Sequence, residues 1–441
     1  MQNESSRQIL KTGYLFRFMA FGVKRIASSA KLRVCALIYI ALLTAAVFAA
    51  NSYFSGVMAV AFSHIYTAAI VVVGLLLGAF LALIAGLPKG FLPIQRNMSR
   101  VGGKMRNALG ECPVLISRKP KNEKTEVWEF ESYGIPLSAW VEEQPEIESA
   151  LGIAIIRVDE GTDGRKALLT LIPYAVPWEK VVEWNDGCLP EKESAVALGN
   201  NRCEQVIADL SVIPHFFVVS RTGGGKSIML LSLIYQLYCK AAKIYVVDFK
   251  GGIDYTKSFR KTCSIVTDHE SLLSLMTELL KEMKARISLL YDTGCHNIDE
   301  YNEAHPEDKK QRIVLVVDEA AEALSPTSSE QKKTIAAIEM SLVTLSRLAR
   351  ATNINIIMAA QRGGSEIINP SLRVNLVPII GACDSALSIM VTGSADASKL
   401  IPMNTPGRFM FNNEMFQGYY SDFESLLALK EGEKSGSADE A

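Results

Sequence analysis

"VVSRTGGGKSIMLL", Val218 to Leu231, joins an apolar run of strand length to an apolar run of helix length through three consecutive glycines. A turn of this kind lets backbone N–H groups converge on phosphate oxygens, and the following helix points the positive end of its dipole at the same place. In the pattern G-x-x-x-x-G-K-[ST], Lys226 reaches the β- and γ-phosphates of ATP and the Ser227 hydroxyl ligates Mg2+. Ser220 stands where the first glycine belongs, and a serine serves there if φ stays negative or mild strain is absorbed. The phosphate-binding candidates are therefore Ser220, Arg221, Thr222, Gly223, Gly224, Gly225, Lys226 and Ser227.

The chain beyond this loop supplies partners for it. "RIVLVVDEAAEAL" (312–324) is a buried strand ending in two acids. Asp318 at its tip is placed to hold the Mg2+ shell and Glu319 to polarise an attacking water. "INIIMAA" (354–360) ends in Gln361, a γ-phosphate sensor. Strands over 216–219, 243–248, 313–317 and 354–360 alternate with helices over 227–240, 271–292 and 330–351. This order predicts an α/β, RecA-like P-loop ATPase fold with a mostly parallel sheet and its ligands at the carboxyl edge. In the helix 271–292, Leu272, Met276, Leu279, Met283, Ile287 and Leu290 form one apolar stripe for core packing.

Composition divides the chain of 441 residues, 49% hydrophobic and 21% charged. Net charge is −1, yet residues 1–110 carry twelve Lys/Arg against one acid, leaving 34 basic and 46 acidic residues for 111–441. Between Arg33 and Lys89 no charged side chain occurs over 55 positions. Two apolar runs there, 34–52 and 65–87, each suit a membrane span of ~20 residues. A cleaved leader would have a shorter apolar region, so a retained transmembrane hairpin is expected. Basic flanks on both sides place both ends in the cytoplasm, with the bulk of the protein tethered to the cell membrane.

The remaining divisions follow from pattern. Residues 1–33 read as a basic cytoplasmic N-terminus and 89–110 as a basic juxtamembrane linker able to touch anionic lipid. Residues 111–195 read as a small β-rich domain, 196–430 as the ATPase domain and 431–441 as an acidic flexible tail. Trp128, Trp140, Trp178 and Trp184 suit core or interface packing better than base stacking. The eight cysteines are scattered, without the spacing of a disulfide or zinc framework.

The stretch "LGNNRCEQVIADLSVIPHFFVVSRTGGGKS" resembles the approach to the phosphate loop in FtsK/SpoIIIE-type DNA translocases. "VTDHESLLSLMTELLKEMKARISLLYDTGCHNIDEYNE" (266–303), "DEAAEAL", "AQR" (360–362) and "PGRFMF" (406–411) continue that family's order over about 195–425. "RLAR" (347–350) is similar to the Arg-x-x-Arg box of TcpA-type conjugative coupling proteins. The resemblance implies a homo-hexameric ring in which Arg350, or else Arg347, reaches a neighbouring subunit's γ-phosphate. Departures are Ser220, Phe249 for a proline, His296 for an arginine, Ala386 where an arginine is usual, and no winged-helix module.

The implied function is a membrane-anchored DNA translocase, the pump of conjugative transfer, with relaxase or other transfer proteins as partners. Since the motor half is acidic, grip on the DNA phosphate backbone falls to local residues, and Lys250, Arg362 and Arg373 are the candidates. Three alternatives stay open: a type VII-like protein secretion ATPase, a nucleotide-binding adaptor that docks a relaxase–DNA complex without pumping, and a chromosome-segregation translocase.

Overall fold

The computed structural model describes residues 2–57, 60–161, 165–250, 257–326, 328–361 and 368–438. The chain forms two compact units, Met1–Gly152 with Asp159–Thr170, and Ile153–Val158 with Leu171–Ala441.

Runs of β-branched and aromatic residues build the larger unit's sheet. Six strands lie parallel in the order Ser264–Val266, Lys243–Val247, Ile313–Val317, Ile354–Ala360, His215–Val219 and Val377–Gly381. Side chains alternate across a strand, so one sequence run must satisfy two cores. Phe217, Val219, Leu315, Val317, Ile356 and Met358 meet the helices His269–Thr293 and Ser329–Leu348. Phe216, Val218, Val314, Val316, Ile357 and Ala359 meet the helix Lys226–Cys239 on the other face. Burial on both faces is why these strands read as continuous apolar runs.

The predicted strands and helices are present, with two differences in content. First, the sheet continues antiparallel through Arg408–Phe411, Glu414–Tyr420, Ala195–Asn200 and Gln205–Asp209, an extension not anticipated from periodicity. Second, the helix His269–Thr293 turns Ile287 outward, 42% exposed, and buries Leu275 and Arg286 instead. Arg286 is tolerated inside because Nε pairs with Glu282 at 2.7 Å and Nη1 donates to the Thr352 carbonyl at 2.9 Å. Asp268 caps this helix, its carboxylate accepting from Ser271 N–H, and Gly294 ends it in the left-handed region.

In the smaller unit the basic N-terminus is itself a helix, Gln2–Ser28, followed by Ala30–Val57 and Val60–Gly86. The segments Ala30–Tyr53 and His64–Gly86, of 24 and 23 residues, are long and apolar enough to cross a membrane. The stretch 89–110 is not a free linker. It contains the helix Phe91–Met98 and buries Met98, Val101 and Met105. Four strands follow in the sheet order Val114–Pro120, Glu126–Glu131, Lys166–Ile172 and Ala154–Glu160. The β-rich region expected to run to 195 gives way at Leu171, where the chain joins the larger unit. At the other end the helix Phe423–Ala438 takes in most of the predicted flexible tail. Its Leu, Ala, Glu and Lys content outweighs two glycines, and Phe423 and Leu427 anchor it in the core. Trp128, Trp140 and Trp184 are core residues, and Trp178 is half-buried between two guanidinium groups.

His215 opens the central strand and is fully buried, its Nδ1 accepting from Ile356 N–H at 3.0 Å. Burial pushes the imidazole pKa down from 6.5 to about 4. The folded chain thus keeps His215 neutral at pH values where the unfolded chain protonates it. This contribution to stability is full above pH ~6.5 and falls, by about 3 kcal/mol, as the pH drops towards 4. Urea unfolding between pH 7 and 4.5 should show that slope. In His215→Gln the slope should shrink by that amount, and an unchanged slope would refute the assignment.

Candidate nucleotide-binding site

The strand His215–Val219 delivers the loop, and the helix Lys226–Cys239 receives it. Ser220 is buried, and its φ is not among the positive values found in the chain, so it avoids the strain that glycine would relieve. Room for its side chain comes from Gly381 on the next strand, where an added Cβ would lie 2.9 Å from Ser220 Cβ. Gly223 and Gly225 take φ values of 75° and 101°. Gly225 caps the helix without a side-chain hydrogen bond, which leaves the first-turn N–H groups for phosphate.

Gly225 also has no space for a side chain. A Cβ there would sit 2.8 Å from Gly407 N, and Gly407 N–H donates to Gly224 O at 2.9 Å. Gly407 belongs to the "PGRFMF" turn, and Arg408 holds that turn in place. The Arg408 guanidinium stacks on Trp178 at 3.9 Å, donates to Gln417 Oε1 at 2.9 Å and reaches Glu179 O at 3.2 Å. Arg202 covers the indole at 4.5 Å. Burial and the neighbouring Arg202 charge push the Arg408 pKa down to about 10.

The two acids stand at the tip of the strand Ile313–Val317, at the carboxyl edge that the alternation predicts, and Gln361 stands at the tip of the neighbouring parallel strand. Lys226 Nζ donates to Asp318 O at 2.7 Å and lies 3.4 Å from both Asp318 Oδ1 and Glu319 Oε2. Burial raises the Asp318 pKa and the nearby Asp248 adds to the rise, while Lys226 and Lys250 oppose it. Gln361 connects the loop to the acids: Thr222 Oγ1 donates to its Oε1 at 2.9 Å, and its N–H donates to Glu319 Oε1 at 3.3 Å. Lys226, Asp318, Glu319 and Gln361 are therefore brought together.

Above them lies a cavity of about 490 Å3, lined by the loop and Gln361 and by Lys180, Val181, Pro406 and Tyr420. This volume suits a nucleotide. The far wall was not anticipated from the sequence. Its signal was the "PGRFMF" and "QGYY" stretches, which mark no chemistry until folding sets them against the glycines. Ser227 and Asp318 offer the hard oxygens Mg2+ prefers. Asp248 Oδ2 is buried with no hydrogen-bond partner among the described residues, and the waters of such an ion would satisfy it.

Other candidates lie elsewhere. Arg347 and Arg350 line a separate cavity with His296, Asp299 and Glu303, and Arg350 Nε donates weakly to Ser211 O at 3.4 Å. They precede the strand Ile354–Ala360 and so sit at its opposite edge from Gln361, roughly 20 Å away along a seven-residue strand. They do not reach the phosphate loop of their own chain. Lys250 is exposed, donates its N–H to Asp248 Oδ1 at 3.0 Å, and its charge acts on Asp318. Arg373 is half-buried at the end of the short helix Pro370–Arg373. Arg362 lies outside the described residues.

A glycine-rich loop between strand and helix, with its lysine against two acids at the tip of the strand Ile313–Val317, defines the fold of a P-loop ATPase. Residues 190–382 match the model of the FtsK/SpoIIIE family, in line with the motif order. The chain is 24% identical over 300 residues to the DNA translocase FtsK of Caldanaerobacter subterraneus subsp. tengcongensis, covering 64% of this chain and 40% of that protein. It is 26% identical over 317 residues to the DNA translocase SpoIIIE of Bacillus subtilis, covering 66% and 38%. The chain thus spans about two-fifths of the length of these relatives. A solved structure of the pCW3 conjugation coupling protein TcpA, a monomer form with ATPγS, aligns with TM-score 0.56 and 28% identity. That alignment covers 78% of this chain and 99% of TcpA.

Gly225→Ala should keep the fold and lose nucleotide. The forced φ and the contact with Gly407 carry strain of ~1–3 kcal/mol, so Mg-ATP affinity should fall by about tenfold or more. Titration calorimetry checks this, and wild-type affinity in the variant would remove the packing argument.

Proposed function

We propose that the protein is a membrane-anchored, ATP-driven DNA translocase that serves as the coupling pump of conjugative DNA transfer. The observation that carries this reading is the joined set Lys226, Asp318, Glu319 and Gln361 beneath a nucleotide-sized cavity. It occurs in a chain whose likeness to the conjugation coupling protein TcpA extends over nearly all of that structure.

In this reading Lys226 and the loop N–H groups bind the β- and γ-phosphates. Ser227 and Asp318 would hold Mg2+, which supplies charge neutralisation at the phosphate oxygens. Glu319 orients and deprotonates the attacking water, with its carboxylate fixed by Lys226 and the Gln361 N–H. Gln361, tied to Thr222, reports the γ-phosphate to the loop. Arg350 or Arg347, being remote from its own phosphate loop, serves the neighbouring subunit of a homo-hexameric ring. Lys250, Arg362 and Arg373 are the proposed DNA-backbone contacts, and relaxase or transfer-complex proteins are the proposed partners. The two apolar helices anchor the chain in the cell membrane, with the basic flanks and the ATPase in the cytoplasm.

The test is ATP turnover by the full chain in lipid nanodiscs, with and without single- and double-stranded DNA. DNA should stimulate turnover. Lys226→Ala should abolish it, and Glu319→Gln should lower it on the order of 100-fold while nucleotide still binds. Turnover that ignores DNA but responds to a secreted protein's tail would replace DNA with polypeptide cargo. Bound nucleotide without turnover in assembled protein would leave an adaptor. For the arginines, Arg350→Ala mixed with Glu319→Gln should recover some activity, because one subunit's site is completed by another's arginine. No recovery in any mixture, for Arg350→Ala or Arg347→Ala, would refute an arginine acting between subunits.

A further inference from the structure

A cavity of about 610 Å3 in the smaller unit opens where the apolar helix Val60–Gly86 ends, beside Gly86, Leu87 and Pro88. Six cations line it: Arg17, Arg25, Lys89, Arg118, Lys119 and Lys166. They come from the first helix, from the residues just after the span, and from two strands of the small sheet. The basic stretch 89–110 contributes only one of them.

Three of the six are neutralised. Arg118 Nη2 pairs with Glu126 at 2.8 Å and its guanidinium stacks on Trp128 at 4.5 Å. Lys166 pairs with Glu129 at 2.8 Å, and Arg17 pairs with Glu131. Arg25, Lys89 and Lys119 have no carboxylate within ion-pair distance among the described residues. Arg25 Nη1 instead donates to Ala85 O at 3.3 Å, a carbonyl of the helix's last turn. Arg118 Nη1 donates to Lys89 O at 2.8 Å and so holds the Lys89 backbone at the rim. The paired groups fix the walls, and the unpaired ones leave an excess of three positive charges.

We infer that this cavity binds the phosphate of an anionic phospholipid headgroup. The inference rests on the proposed membrane anchoring. Where an apolar helix leaves a bilayer, the nearest abundant anions are headgroup phosphates, and basic groups beside the span are attracted to them. Phe16 and Leu92, exposed by 71% and 72%, flank the same end of the helices with apolar surface, which acyl chains would cover. The cavity exceeds one phosphate in size, so it admits a headgroup as well.

The test uses the full chain, extracted in mild detergent from membranes containing phosphatidylcholine and phosphatidylglycerol in equal parts, with retained lipid read by mass spectrometry. Wild type should retain phosphatidylglycerol over phosphatidylcholine. The triple variant Arg25→Gln, Lys89→Gln, Lys119→Gln should lose that preference, with affinity lower on the order of 100-fold at roughly one tenfold step or less per charge. Arg25→Lys, Lys89→Arg, Lys119→Arg should keep it, which separates lost charge from a damaged fold. Equal retention of both lipids by wild type, with the chain still integral to the membrane, would overturn the lipid site and leave the anchoring intact. Recovery of wild type in the soluble fraction would overturn the anchoring first. Displacement of the lipid by inorganic phosphate at equal concentration would overturn the lipid assignment in favour of a soluble anion. Loss of DNA binding in the triple variant, with lipid retention unchanged, would overturn it in favour of nucleic acid.

Discussion

The carboxyl edge of the large sheet depends on one buried ion cluster, the Lys226 ammonium set between Asp318 and Glu319. The three side chains are only 8%, 7% and 10% exposed. Charges withdrawn from water this far cost several kcal/mol each unless each finds partners, and removing one leaves the others stranded. The strands provide the partners. Parallel pairing of Ile313–Val317 with Ile354–Ala360 carries Glu319 to the Gln361 N–H, and the Asp318 carbonyl completes the lysine's shell. Because Asp318 is held above the usual carboxylate range by burial, a further positive charge at this point would be favoured there.

A second constraint acts through the antiparallel half of the sheet. The loop glycines leave backbone unprotected by side chains, and that backbone needs a fixed neighbour. Gly407 provides it, held by a buried arginine stacked on Trp178. About 180 residues separate Gly225 from Gly407 along the chain. No local pattern connects them, yet a Cβ on Gly225 would sit 2.8 Å from Gly407 N. This wall of the cavity therefore depends on strands far along the chain from the glycine-rich loop.

Much of the core and site was legible because both rest on short-range rules. Fully apolar runs such as "IVLVV" and "INIIMAA" are strands that must be covered on both faces, and acids directly after such a run can only lie at the sheet's edge. The phosphate loop was legible because glycine, lysine and serine at that spacing answer to one geometry. What escaped was set by rotation and by contact at a distance. Ile287 fits the apolar stripe of its helix, but the arginine at 286 found a carbonyl and a carboxylate inside and turned the helix accordingly. The stretch 89–110 looked like a linker by charge, although Met98 and Met105 are wholly buried. Isolated methionines in a basic segment give no period to read.

The sequence by itself determined the ATPase core, the phosphate loop with its acids, and the separation of a basic, apolar front from an acidic body. Each of these is written in neighbouring residues, through spacing, alternation or local charge. Only the tertiary structure decided that Ser220 is accommodated against Gly381, that Arg347 and Arg350 lie far from their own phosphate loop, and that Arg408 positions the nucleotide wall. It also gathered six cations from four separate stretches around one cavity. The physical reason is common to all of these. Close approach and charge excess are properties of pairs of residues brought together by folding, and a linear pattern carries only the properties of residues one at a time.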